Sequence, residues 1–234
     1  MSRYASSWRC IWEMLPATAS LSEIHTQFVT KFRRYRHEMA EACGVCLANA
    51  TINRDLAALG AFLTWCAEEK GISITRPLLR YQRESRGRMW WLTSEQLARF
   101  NAHCSPDWEP LFSLLLSTGM TISEALGLRH SDIDLRIRRV SIHEDHGRKL
   151  KRASRARELS LPTHLIPILT AWLERSGSNP DSNFFSYTYW TARKAWMRTC
   201  KGAGIANATI HDARQTFAVH AVQDGVPEAR CRSY

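Results

Sequence analysis

Nowhere among the 234 residues is there an apolar run long enough to cross a bilayer. Residues 1–20 also lack the basic flank and unbroken apolar stretch of a secretory signal. No basic amphipathic helix with a clean apolar face stands out, no segment repeats, and no low-complexity tract occurs. These absences exclude membrane-spanning and solenoid readings, so a cytoplasmic, nucleoid-associated protein with no membrane partner is expected. Acid is scarce beside base: 22 Asp and Glu against 32 Lys and Arg, a formal charge of +10 and a pI near 9.6. Such an excess favours a polyanionic partner, nucleic acid before membrane, the alternative being a merely basic protein.

The seven cysteines, Cys10, Cys43, Cys46, Cys66, Cys104, Cys200 and Cys231, are odd in number and scattered, as free thiols in a reducing compartment would be. Cys43 and Cys46 make the one close pair. No second Cys or His pair follows at zinc-ligand spacing, and no strand–helix pattern surrounds them for redox work. No metal or other cofactor is expected.

What is present fits a globular chain: 44% hydrophobic and 23% charged residues, with length for one large domain or two small ones. Trp8, Ile11, Trp12 and Leu15 can line one side of a short helix. Ile24, Phe28, Phe32 and Tyr35 predict a helix over 21–39 whose other side carries Lys31, Arg33, Arg34 and Arg36. Ile52, Leu56, Leu59, Leu63 and Cys66 predict another over 51–66, so the first 70-odd residues read as a helical bundle. Residues 75–91 break the pattern with Pro77, Arg80, Arg83, Arg86 and Arg88. They read as a basic connector that either lies along a phosphate backbone or is simply solvated.

A second domain opens at Leu92-Thr93-Ser94-Glu95-Gln96-Leu97, where capping-box and hydrophobic-staple spacings coincide. A helix from Asp107 to Gly119 is apolar nearly all round and belongs in the middle of that domain. Thr118–Leu128 is a turn into a short helix, and 131–134 reads as a turn. Residues 138–142 and 157–161 are strand-like, flanking the very basic loop His146–Arg152. Helices are expected from Pro162 and over 189–200, where Trp190, Ala195 and Trp196 read as packing. The fold class is therefore mainly α with a small β-ribbon.

Thr209–Val219 reads as a helix start, with Thr209 or Asp212 as cap and Ile210, Ala213, Phe217 and Ala221 as stripe. His211 and Arg214, three apart, project from one side of its first turn. Helix-start amides favour an anion, Arg adds a planar fork matched to phosphate, and His can take or give a proton near neutrality. The spacing alone leaves open whether this is a phosphate site or a solvated pair.

The order of these features resembles the tyrosine recombinases, or phage integrase family. It runs from Thr-x-Asn-Arg in a helical domain to Leu-Thr-x-Glu-Gln-Leu, Thr-Gly-Met-x-Ile-Ser-Glu-Ala-Leu-Gly-Leu, a basic β-ribbon and His-Asp-x-Arg-x-Thr-Phe-Ala. The resemblance covers roughly residues 20–229. It implies a core-binding DNA-binding domain (1–75), a basic linker (76–91) and a catalytic domain (92–234) that clamp duplex DNA. In that family a Tyr attacks a phosphodiester, two Arg forks stabilise the extra charge, and a ribbon Lys and a His assist with protons. No metal or nucleotide cofactor is needed.

Carried over by residue, the resemblance implies His211 and Arg214 as phosphate ligands. It implies Lys149 as the ribbon lysine, with Lys151 the alternative. Asn53, Arg54, Arg148, Lys151 and Arg152 are its implied DNA contacts. Gln215 stands where the family usually has His. Thr121 stands where the family has its first Arg, and a short hydroxyl cannot replace a bidentate cation. Beyond Gly225-Val226-Pro227 the family's Leu-Gly-His segment and nucleophile are missing, and Tyr234 is too close to Arg214 to serve. The expectation is a truncated or degenerate mobile-element integrase that binds DNA but is cleavage-defective. The alternatives are a DNA-binding regulator or decoy pairing with a full-length integrase, or a recombinase completed in trans within a homo-oligomer on DNA.

Overall fold

Ile11 is fully buried in α1 (Ala5–Trp12), whereas Trp12, expected on the same side, is 58% exposed. The next helix, α2 (Thr26–Ala42), starts later than its periodicity suggests because two local caps intervene. Ser20 N–H donates to Glu23 Oε1 (3.0 Å) in a tight turn over Leu21–Glu23, and His25 Nδ1 then accepts from Phe28 N (3.1 Å) at the true helix start. Along α3 (Asn49–Glu68) the predicted stripe of Ile52, Leu56, Leu59, Leu63 and Cys66 is buried throughout. Ile52, Leu56, Leu59 and Leu63 of this stripe pack with Ile11, Ile24, Phe28, Val29 and Phe32 into one core. Of the basic face expected on α2, Lys31 and Arg34 are exposed, but Arg36 is not part of it. Arg36 turns inward to a buried ion pair with Asp55 at 3.0 Å, and Arg34 pairs with Glu38 at 3.2 Å.

These helices belong to the first of two compact units, Met1–Gly87 and Arg88–Tyr234, in a computed structural model that describes residues 4–84, 89–143, 156–177 and 179–227. The second unit begins with the predicted capping box. Gln96 N donates to Thr93 Oγ1 (3.2 Å) and Thr93 N to Gln96 Oε1 (2.9 Å), opening α4 (Ser94–His103). Its central helix α5 (Glu109–Thr118) buries Leu111, Phe112, Leu114 and Leu115 and stops at Gly119, whose φ of +66° is the left-handed conformation that glycine adopts without strain. A second capping box, Thr121 with Glu124, starts α6 (Ile122–Leu126).

The stretch 131–134, read as a turn, is a 3-10 turn (His130–Asp132) running into a short strand, β1 (Ile133–Asp134). It is completed by antiparallel partners β2 (Arg139–Ile142) and β3 (Arg157–Ser160) in the order β1-β2-β3. Two residues carry no alternation to read, which is why the sequence hid the strand. Val140, Ile142 and Leu159 face inward onto the core of this unit. Then come α7 (Leu165–Ser176), α8 (Tyr189–Gly202) and α9 (Asp212–Gln223). Phe100, Phe112 and Trp196 form the aromatic centre, with ring centroids 4.6–5.9 Å apart. Ala195 and Trp196 pack as predicted. Trp190 does not: it is 65% exposed.

Candidate functional site

The start of α9 is set by polar residues more than by an apolar stripe. Asp212 is its first residue, and its carboxylate reaches back to accept from Thr209 N (2.7 Å) and Thr209 Oγ1 (2.9 Å). That closes the preceding turn and leaves His211, exposed, at the N-cap position with no side-chain cap bond of its own. Ile210 and Ala213 are buried as predicted, Phe217 only half so, and the deepest side chain in the second turn is Thr216. Its hydroxyl is buried without penalty because it donates to Asp212 O (2.8 Å) and accepts from Leu92 N (3.0 Å). Gln215, at the position that departs from the family pattern, accepts from Trp90 N at 3.0 Å. His220 Nε2 bonds Leu92 O at 2.8 Å. One face of α9 is thus stitched to the chain entering α4.

The other attachment involves the candidate ligand itself. Arg214 Nη1 donates to Gly119 O at 2.8 Å, so the guanidinium lies against the turn that leads, two residues later, into Thr121. Phe217, one turn on, closes over the hydrogen side of Gly119: a Cβ there would collide with its ring. The start of α9 and the start of α6 are therefore joined at one place.

At the α6 start, Glu124 Oε2 accepts from Thr121 N (2.7 Å) and Thr121 Oγ1 (2.9 Å), and Arg157 from β3 donates through Nη1 to Glu124 Oε1 at 3.0 Å. Burial alone pushes the Glu124 carboxyl up. The Arg157 guanidinium and the Thr121 amide and hydroxyl outweigh it and hold the group below the usual carboxylate range. Position 121 therefore carries a neutral cap, and the Glu124 carboxylate that it binds is ion-paired with Arg157.

The phage integrase family model matches residues 90–231, more than half of the chain. The chain belongs to the phage integrase family, the tyrosine recombinases. It is 28% identical over 207 residues to a shufflon-specific DNA recombinase of Escherichia coli, covering 85% of this chain and 50% of that protein. It is 25% identical over 193 residues to the integrase of Salmonella phage P22, covering 77% and 49%. The chain thus spans about half the length of the curated relatives it matches. Its fold superposes on the Tn1549 transposon integrase solved with transposon right end DNA, at a TM-score of 0.74 and 16% identity over 97% of this chain and 82% of the other.

Of the integrase residues implied by the sequence, His211 and Arg214 stand together at the start of α9, beside the Thr121 turn. Arg148, Lys149, Lys151 and Arg152 lie outside the described residues, as does Tyr234. Asn53 and Arg54 sit in the first unit. Arg54 is exposed, whereas Asn53 is only 7% exposed and its amide is hydrogen-bonded within its own unit to Gln82 and Glu84.

A surface that sequence reading missed is the outer face of α8. Tyr189, Trp190, Arg193, Lys194, Met197, Arg198 and Lys201 are all exposed, four cations with no acid among them. The signal was available: Ala192, Ala195, Trp196 and Thr199 already fill the buried stripe, which leaves Trp190 on the opposite side.

Proposed function

We propose that this integrase-family chain binds duplex DNA, with His211 and Arg214 engaging a backbone phosphate, the exposed cations of α8 neutralising others, and strand cleavage impaired by Thr121. The observation that carries the reading is the Arg214–Gly119 hydrogen bond. It sets the α9 phosphate pair beside the turn where the family has its first Arg and this chain has Thr. A phosphoryl-transfer transition state gathers charge on its nonbridging oxygens, and losing one preorganised donor to such an oxyanion costs roughly a hundred- to a thousandfold in rate. Ground-state binding needs less, because one Arg fork and a helix start can hold a phosphate diester.

The lysines of the ribbon loop, Lys149 or Lys151, together with Arg148 and Arg152, belong to the same reading as further phosphate contacts, and a second integrase chain on the same DNA is the natural companion. The test is fluorescence anisotropy of a labelled duplex across a salt series, paired with a suicide substrate that traps covalent adducts. Expected are a steep fall of affinity with salt, a loss of tenfold or more in the His211→Ala/Arg214→Ala variant, and no adduct. Salt-insensitive binding overturns the DNA reading; an adduct formed by this chain alone overturns the cleavage defect.

A further inference from the structure

Thr199 and Trp190 stand on opposite sides of α8, because nine residues at 3.6 per turn make two and a half turns. Thr199 is 6% exposed and Trp190 65%, so Trp190 marks the line of the helix farthest from the core. Met197, 50% exposed, falls within roughly 20° of that line two turns on, and Lys201 continues it. Arg193 lies roughly 60° to one side, and Lys194 and Arg198 roughly 40° and 80° to the other. All three are exposed. The outer face is thus ordered across its width: a largely apolar centre line between cationic flanks, with no acid anywhere on the helix. Tyr189 steadies the centre. Its ring meets Trp190 edge-on, with centroids 5.4 Å apart at 76°, which restricts the indole and lowers the entropy lost in fixing it on a ligand.

That order matches the cross-section of one ligand. The major groove of duplex DNA, about 12 Å wide, admits an α-helix, whose outermost line then meets the base edges while its flanks meet the two phosphate walls. Cations on the flanks gain by neutralising those phosphates. The floor of the groove offers polar edge atoms and one apolar group, the thymine C5-methyl, against which an indole or a thioether packs. A second copy of the same face is a poor fit, since four cations would oppose four. We infer that Trp190 and Met197 are specificity-determining residues that read thymine methyls in the major groove, while the cations beside them hold the backbone. This rests on the duplex-binding reading above and adds a class of substrate to it: a site that carries thymines. Seven residues of helix span about 10 Å. At 3.4 Å per step this sets the two thymines about three base pairs apart.

The full 234-residue chain is used to select binders from a random-sequence duplex library, and the selected duplex is then made with uracil in place of thymine. Uracil removes only the methyl and leaves base pairing and phosphates as they were. Burying one methyl is worth about fourfold in affinity, so the parent is expected to favour the thymine form about fifteenfold. Uracil at just two positions, about three base pairs apart, should reproduce the loss. Trp190→Ala or Met197→Ala should cut the preference to about fourfold, and the double substitution should abolish it. Neither removes a charge, so the salt slope should stay that of the parent. The uracil comparison on the parent needs no substitution, so a folding defect in a variant cannot mimic it. Equal affinity of the parent for both forms overturns the inference, and so does a preference that survives the double substitution. No duplex binding at low salt removes the DNA reading itself; binding without a thymine preference leaves that reading standing and removes only this one.

Discussion

Arg214 Nη1 and Gly119 O meet at 2.8 Å across ninety-five residues of sequence, and this bond joins the turn after α5 to the start of α9. Gly119 serves it in two ways: its left-handed φ ends α5, and its missing side chain leaves room for the Phe217 ring. The carbonyl that Arg214 needs is thereby aimed at α9.

Gly119→Ala tests that joint. The left-handed conformation costs a side-chain-bearing residue about 1–2 kcal/mol, and overpacking against Phe217 adds about 1–3 kcal/mol. A loss of about 3 kcal/mol in urea-unfolding stability is expected, together with weaker duplex binding, because α9 must shift to relieve the clash. A variant as stable as the parent would show that Phe217 is not packed on this turn.

Thr121→Arg separates the cap from the cation. Removing a Ser/Thr-type N-cap costs about 1 kcal/mol of stability. A guanidinium at the same place gains a charge-assisted contact to phosphate worth about 1.5 kcal/mol, close to tenfold in affinity. A lower melting temperature with tighter duplex binding is the expected pair of results. Tighter binding is the deciding half: if affinity is unchanged, position 121 does not face the phosphate.

Acid should loosen the second unit through Glu124. Its folded-state pKa is depressed, since the pull of Arg157 and Thr121 exceeds the opposing effect of burial. Its contribution to stability is therefore full above its unfolded value near 4.5 and is lost as pH falls through the lower folded value. Glu124→Gln, which leaves Arg157 without its charge partner, is expected to cost about 3 kcal/mol at pH 7. The gap between the variant and the parent should narrow below about pH 4 in urea titrations. A gap independent of pH would mean that the carboxylate charge is not what Arg157 and Thr121 hold.

The outer face of α8 gives a prediction free of folding effects. Arg193→Gln/Lys194→Gln changes exposed groups, so stability should move by no more than about 0.5 kcal/mol. If both cations meet phosphates, the slope of log affinity against log salt becomes shallower by about 1.8. An unaltered slope removes this face from the DNA contact surface.

Where side-chain spacing carries its own physics, the sequence was sufficient. The stripe of α3, the Thr93/Gln96 capping box and the Gly119 stop are local patterns, decided by neighbours three or four residues away, and each stands as read. The motif order was enough to indicate the phage integrase family, because its signature segments are contiguous. What depended on distant partners was not legible. Arg36 reads as a solvated cation until Asp55 is seen beside it, and nothing in the spacing of Asn53 announces its hydrogen bond to Gln82 N. Trp190 reads as core until the other side of α8 proves full. The sequence by itself determined that His211 and Arg214 share one helix turn and that Thr occupies position 121. Only the tertiary structure decided that the start of α9 lies against the turn before Thr121, because the Arg214–Gly119 bond and the Phe217 contact exist only once α9 packs on the end of α5.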